Sequence, residues 1–287
     1  MYPAKFDYVA PTSLEEAIKL LDESGGDAKI IAGGHSLLPM MKLRLAQPAK
    51  LIDLRKVPGL NEIRVDANGI SIGAMVTHAQ VARSSEIRRA LPSLAEAADK
   101  VGDLQVRNKG TIGGSLAHAD PAGDLPAVFL ALDGQIVARG PSGTRSMDAD
   151  GFFVDILTTQ LAENEIVTQV KFPNLPARTG TAYVKFDHPA SHYALTGVAA
   201  SITLGVDGKI SRARVGVTGV GAKAYRAAGV ETALIGKGAA DVAAAVSTAA
   251  DGIDCNDDIH ASAEYRAHLA RVFARRAIEE AIRRAGA

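Results

Sequence analysis

The chain has 287 residues, 47% of them hydrophobic, which is enough for one large domain or for two to three smaller ones with real cores, and excludes disorder as the expectation. Thirty-two basic residues balance 32 acidic ones, so net charge calls for neither nucleic acid nor an anionic membrane, and any anion site must be local. A single cysteine, Cys255, excludes an intramolecular disulfide, a cysteine-ligated iron–sulphur cluster and a zinc finger within the chain, and 5% aromatic residues with no tryptophan offer no stacking platform for single-stranded nucleic acid.

In chain order, Ser13 and Glu16 make a capping-box pattern ahead of Leu14, Ala17, Ile18, Leu20 and Leu21, which predicts a helix stopped by Gly25-Gly26. Lys29 to Ala32 reads as a strand, Leu37 to Leu45 as an apolar, helix-compatible segment and Leu51 to Leu54 as a second strand, so residues 1–56 make a small α/β unit ending near Val57-Pro58-Gly59. No basic segment leads into an apolar run near Met1, and the longest apolar run, Val128 to Leu132, is far short of a membrane span. A cytoplasmic protein is the expectation.

Residues 57–176 mix short strands near Ile63 to Val65 and Ile70 to Ile72 with helical stretches at His78 to Ala82, Leu91 to Val101 and from Asp124 onward. Gln135 to Ala138 and Thr144 to Met147 flank the turn Gly140-Pro141-Ser142-Gly143, and Ile166 to Phe172 is a further strand before a linker at Pro173 to Pro176. Residues 177–287 start with strands at Ala182 to Phe186, Gly197 to Leu204 and Arg214 to Val220, predicting an antiparallel sheet. Alanine-rich helical stretches follow at Tyr225 to Ile235, Ala239 to Ala250 and Ala263 to Arg284, and the arginines of the last are either a solvated face or a subunit contact.

Two segments share one grammar, Ala32-Gly33-Gly34-His35-Ser36 and Thr111-Ile112-Gly113-Gly114-Ser115: a glycine pair, then a hydroxyl residue, then a helix-compatible stretch. Such loops let backbone approach a ligand and point amides at an anion, so the pair suggests a diphosphate held between them. Downstream, His118, Asp120 and Asp124 suit a hydroxyl-bearing part such as ribose or ribityl, because a carboxylate repels phosphate. Asp124 serves equally as an N-cap for a helix over Leu125 to Leu132. Lys185, at the end of the strand that closes on Phe186, and Tyr193, in the polar stretch after it, are placed to meet a phosphate or a flat ring. His188 and His192 lack a third partner for a metal.

Gly219-Val220-Gly221-Ala222-Lys223-Ala224 mimics a dinucleotide fingerprint, but Asp241 falls between helical stretches and not at the end of a parallel strand. No Gly-x-Ser-x-Gly elbow or Gly-Lys-Ser/Thr loop occurs, and Asp254, Asp257 and Asp258 disfavour a Cys255 thiolate. With no concentrated acid–base cluster, no catalytic residue is assigned.

Ala32-Gly33-Gly34-His35-Ser36-Leu37-Leu38-Pro39, Thr111-Ile112-Gly113-Gly114-Ser115, Asp120-Pro121 and Asp124-Leu125-Pro126 together resemble the FAD-binding medium subunit of molybdenum hydroxylases, the carbon monoxide dehydrogenase and xanthine dehydrogenase family, over essentially the whole chain. The resemblance implies an α+β, FAD-binding fold of the vanillyl-alcohol oxidase and p-cresol methylhydroxylase type. Two α/β FAD-binding subdomains, 1–56 and 57–176, would precede a C-terminal antiparallel sheet with a helical bundle at 177–287. By the same resemblance, Lys29, Ile30, Ile31, Ala32, Gly33, Gly34, His35 and Ser36 wrap the diphosphate of FAD with Gly110, Thr111, Ile112, Gly113, Gly114 and Ser115. His118, Asp120 and Asp124 line the neighbouring pocket, Ile166 and Val167 lie by the adenine or flavin, and Lys185 and Tyr193 lie near the ring. Ser115 departs from the asparagine common in the family.

The implied role is electron transfer: a noncovalent FAD takes electrons from an iron–sulphur small subunit and passes them to an external acceptor, while substrate is oxidised at a molybdenum cofactor in a large subunit. A dimer of heterotrimers in the cytoplasm, with membrane association only through partners, is the implied assembly. A standalone FAD-dependent oxidoreductase and a flavin-free adaptor subunit are the alternatives.

Overall fold

In the computed structural model, which describes residues 2–287, strands β1 (Asp7–Val9), β2 (Ala28–Ile31) and β3 (Lys50–Asp53) form a parallel sheet with β3 in the middle. Helix α1 (Leu14–Asp22) connects β1 to β2, and the short α2 (Leu37–Lys42) follows β2. Ser13 caps α1 by accepting from the Glu16 amide at 3.1 Å, while the Glu16 carboxylate accepts from Thr12 N at 2.9 Å, one residue before the expected partner. Ala17, Ile18 and Leu21 are the buried face that holds α1 on this sheet.

The middle of the chain supplies β4 (Ile63–Asp66), β5 (Gly69–Gly73), helices α3 (His78–Arg83), α4 (Ser85–Ala90), α5 (Pro92–Lys100), α6 (Leu104–Arg107), α7 (Ile112–His118) and α8 (Asp124–Ala131), then β6 (Gln135–Gly140), β7 (Gly143–Asp148), β8 (Phe153–Asp155), β9 (Thr158–Thr159) and β10 (Ile166–Phe172). The large sheet has the order β4-β5-β10-β6-β7, and every pairing is antiparallel. β10 returns between β5 and β6, so its apolar residues are buried on both faces. The core beneath is aromatic at one point: Phe129 meets Phe152, Phe153 and Phe172 edge-on, with ring centroids 5.8, 6.0 and 6.3 Å away.

β11 (Thr179–Asp187), β12 (Ala194–Leu204), β13 (Ile210–Thr218) and the short β14 (Tyr225–Arg226) make the four-stranded antiparallel sheet of the last part. All eleven residues of β12 are buried, because α11 (Ala263–Ala285) packs on the sheet while α8 packs against β12 and β13. Two shorter helices, α9 (Ala228–Leu234) and α10 (Val242–Ala245), lie between. The stretch 239–250 is a chain of short turns and not one helix. The hydroxyls of Ser247 and Thr248 donate to the carbonyls of Ala244 and Ala245, offering the backbone a local alternative that alanine propensity alone does not reveal. No described helix is long and apolar enough to cross a membrane.

Candidate FAD site

A cleft of about 780 Å³ runs between the parallel sheet, the large antiparallel sheet and the turn joining β11 to β12. Pockets for small molecules and cofactors span roughly 300–1,000 Å³. Of the residues singled out from the sequence, all but Ile112 and Lys185 line it.

At one wall, β2 ends in Ala32-Gly33-Gly34-His35-Ser36 and turns into α2. Gly34 has φ 76°, a left-handed conformation that β-carbon sterics disfavour. Gly33 makes the close approach: a Cβ there would lie 2.2 Å from the Lys109 carbonyl oxygen and 2.7 Å from Gly110 Cα, so this loop crosses directly over the segment leading into the second motif. The amides of Gly33, Gly34, His35 and Ser36 donate to no backbone or side-chain acceptor among the described residues. Ser36 makes no side-chain cap hydrogen bond on α2, so its hydroxyl is not used by the helix. Four neighbouring unpaired donors beside a deep cleft are the chemistry an anionic diphosphate needs, and the residues fit that group.

The second motif differs from its twin. Gly113 and Gly114 lie in the first turn of α7, with Thr111 as N-cap, and are not a loop. Every amide from Ile112 to Ser115 is already bonded: Ile112 N to Val76 O and Gly113 N to Ala74 O, both at 3.0 Å, Gly114 N to Thr111 Oγ1 at 3.1 Å, and Ser115 N to Thr111 O at 3.0 Å. Ile112 is fully buried and faces the core. What this segment presents to the cleft is the bare surface of Gly114 and the side chain of Ser115. The two motifs therefore divide the work: the first carries free donors, while the second supports it and closes the wall.

At the far end, Asp120 uses one carboxylate oxygen to accept from Ala122 N at 2.9 Å and still borders the cleft beside His118 and Gly123. Asp124 is the first residue of α8, with Gly123 as N-cap, so it is not the cap itself. Its carboxylate accepts from the Tyr183 hydroxyl at 2.6 Å and pairs with Lys185 Nζ at 2.9 Å. Burial pushes its acid up to about 6 despite the opposing Lys185 ammonium. The same burial, followed by the Asp124 charge, raises the Tyr183 hydroxyl well above its ordinary value. The Lys185 side chain is completely buried and also donates to the carbonyls of Lys100 at 2.8 Å and His192 at 2.6 Å, so the ammonium is spent on protein oxygens and does not face the cleft. Tyr193 does face it, and burial together with nearby Asp120 pushes its hydroxyl up to about 12.

The lining also includes a segment from Leu157 to Val167, of which Leu157 to Thr159, Leu161 to Glu163, Glu165, Ile166 and Val167 border the cleft. Only the last two stood out in the sequence, because short irregular segments carry no periodicity. His78, first residue of α3, was also missed. It is 3% exposed, its Nδ1 has no partner, and it packs under Gly110, where an added Cβ would sit 2.8 Å from its Cδ2. Burial, then Arg107, lowers its pKa to about 4, so it is neutral at ordinary pH. Among the described residues no group of three or more His, Cys, Asp or Glu side chains could hold a metal ion.

Residues 4–175 match the family described as the FAD binding domain in molybdopterin dehydrogenase, and residues 181–281 match the CO dehydrogenase flavoprotein C-terminal domain. Fold and site thus define an FAD-binding flavoprotein of the vanillyl-alcohol oxidase and p-cresol methylhydroxylase type. The chain is 42% identical over 287 residues to the 6-hydroxypseudooxynicotine dehydrogenase complex subunit alpha of Paenarthrobacter nicotinovorans, covering 99% of this chain and 97% of the relative. It is 40% identical to the carbon monoxide dehydrogenase medium chain of Hydrogenophaga pseudoflava, with 98% of each covered. A solved structure of carbon monoxide dehydrogenase from Hydrogenophaga pseudoflava superposes with a TM-score of 0.95 at 41% identity, covering 99% of both chains. The chain belongs to the family of FAD-binding medium subunits of molybdenum hydroxylases.

Proposed function

We propose that this chain is the FAD-carrying electron-transfer subunit of a molybdenum hydroxylase, taking electrons from iron–sulphur clusters on a small subunit and passing them to an external acceptor, while a large molybdenum-cofactor subunit oxidises the substrate. The observation that carries the reading is the run of four unpaired amides, Gly33 to Ser36, at the edge of the cleft. One cysteine leaves the chain without ligands for a cluster of its own, so cluster electrons must come from another chain. Family membership and full-length similarity to chains named as medium or alpha subunits support the heteromeric assembly. A cytoplasmic location, a dimer of heterotrimers and division into units at 1–56, 57–176 and 177–287 belong to the same proposal.

When bound, the flavin supplies the redox chemistry. The protein's part is placement. The amides of Gly33 to Ser36 and the hydroxyls of Ser36 and Ser115 would hold the diphosphate, with Thr111 keeping α7 behind it. Asp120 would accept from a hydroxyl of the ribityl chain, and Ile166 and Val167 would wall the adenosine end with Lys29, Ile30 and Ile31. Tyr193 would lie against the isoalloxazine end. The Asp124–Lys185 pair is sealed by its own hydrogen bonds and moves no proton in this scheme. Purification of the native complex, with flavin released by acid and metals and partners quantified, tests the reading: one FAD per chain and copurifying molybdenum and iron subunits are expected. A chain without flavin, or one that holds flavin but no partners, overturns it.

A further inference from the structure

Lys185 is buried, cationic and not a wall of the cleft, yet it touches three separate elements that meet at the flavin end. Its Nζ donates to the carbonyls of Lys100, after α5, and His192, in the β11–β12 turn, and pairs with Asp124 of α8 at 2.9 Å and with the half-exposed Asp187 at 3.3 Å. His192 adopts φ 58°, a left-handed conformation disfavoured for any residue with a β-carbon. Within the turn, His188 N donates to Tyr193 O at 2.8 Å and His192 N to His188 O at 2.9 Å, the His188 ring accepts from Ala190 N and Ser191 N, and Tyr193 N donates to Ser191 Oγ at 3.4 Å; outside it, Ala194 N donates to Ala122 O at 3.3 Å, so Lys185 is the buried side chain that ties the His192 carbonyl to the rest of the fold. The next residue after His192 is Tyr193, whose ring borders the cleft while 47% of its surface is exposed. The shortest bond Lys185 makes is therefore to the carbonyl of a strained residue immediately before the side chain that faces the flavin.

We propose that Lys185 is a positioning residue: by clamping the His192 carbonyl it holds the left-handed backbone that sets the pose of Tyr193 against the isoalloxazine ring, and it acts on the flavin through Tyr193 and not through its own charge. The proposal rests on FAD occupying this cleft. Its charge is balanced locally by Asp124 and Asp187, both within 3.3 Å, which removes most of its field at the ring. Methionine at 185 fills the buried stem but deletes all donors, so the His192 carbonyl and the turn lose their anchor.

The experiment is a double-mutant cycle in the purified native complex, reading flavin circular dichroism and flavin midpoint potential for Lys185→Met, Tyr193→Ala and the pair. Neither change touches the diphosphate loop, so FAD is retained in all, and dichroism and potential are read per bound FAD. Lys185→Met is expected to lose most of the dichroism that Tyr193→Ala loses, and to shift the potential in the same direction. The double variant should equal Tyr193→Ala alone. Asp187→Asn, which removes a charge but keeps both carbonyl bonds, should leave the dichroism unchanged. If Lys185→Met does not fold, Lys185→Gln, which retains a donor, should fall between wild type and Tyr193→Ala. An undiminished effect of the Lys185 change in the Tyr193→Ala background, wild-type dichroism in Lys185→Met or Lys185→Gln, or a loss in Asp187→Asn as large as that of Tyr193→Ala would overturn the clamp. Absence of flavin from the wild-type complex would instead sink the flavoprotein reading.

Discussion

Replacing Gly33 by alanine places a methyl group where the chain has another segment's backbone. The new Cβ would lie 2.2 Å from Lys109 O, and restoring ordinary contact requires the two segments to part by about 1 Å. Because the obstacle is backbone and not the tip of a flexible side chain, the strain cannot be relieved by a rotamer change. Overpacking of this kind costs about 1–3 kcal/mol. For a chain of this size that corresponds to a melting temperature lower by about 2–5 °C. The same displacement carries the free amides of Gly33 to Ser36 away from the wall formed by Gly114 and Ser115, so each ~1.4 kcal/mol falling on the bound state weakens FAD tenfold. Gly34→Ala is the control: it incurs a left-handed φ of 76°, about 1–2 kcal/mol, but meets only side chains, Leu38 at 3.0 Å and Ile31 at 3.4 Å. The assay is FAD per chain after gel filtration together with thermal melts. Gly33→Ala with wild-type flavin content and an unchanged melting temperature would refute the crossing as the reason glycine is needed.

Ser36→Ala should weaken FAD by roughly tenfold, the value of one hydrogen bond to a charged acceptor, while leaving the melting temperature of the flavin-free chain unchanged, since Ser36 caps nothing; flavin titration and melts in parallel check both halves. His78 titrates at about 4 when folded and about 6.5 when unfolded, so the unfolded state binds more protons between these values and stability falls as pH drops from 6.5 to 4. Asp124, raised to about 6, acts in the opposite sense, favouring the folded state as pH falls through that window. His78→Gln should therefore lose less stability than the parent on acidification from pH 6.5 to 4.5, measured by urea unfolding at both values; an equal loss would exclude His78 as the titrating group. Phe129→Ala, which removes the ring packed on three other phenylalanines, should cost about 3–5 kcal/mol in the same unfolding measurement.

What the sequence revealed followed from periodicity and from glycine. Ile166 to Phe172 was readable as a strand because β-branched residues run between a charged turn and a proline linker, and the bounds agree with β10. β1 was not, because Asp7-Tyr8-Val9 is too short to show alternation and gains its place only by pairing with β3. The first glycine motif was legible as a loop with free amides, since that property depends on local backbone. Its counterpart at Gly113-Gly114 has the same linear pattern, yet contacts with Ala74 and Val76, nearly forty residues earlier, consume its amides. Lys185 shows the same limit: a lysine at the end of a strand is read as a donor to a ring or phosphate, and only the convergence of Lys100, Asp124 and His192 turns it onto protein oxygens. The wall from Leu157 to Glu163 has no pattern to read.

Helix α8 is buried at all eight of its positions, with the aromatic core beneath it and the last sheet above it. Tyr183 and Ala199 of that sheet belong to the same apolar cluster as Ala127 and Phe129. A chain cut at the Pro173–Pro176 linker would turn this helix into a bare, water-facing oily strip, a surface prone to sticking to itself. The boundary between the two family matches, at residues 175 and 181, is thus not a place where the apolar core is divided. Attempts to express the flavin-holding portion alone should yield aggregate, and swapping C-terminal portions between relatives should succeed only when the surface that covers α8 is exchanged with its partner.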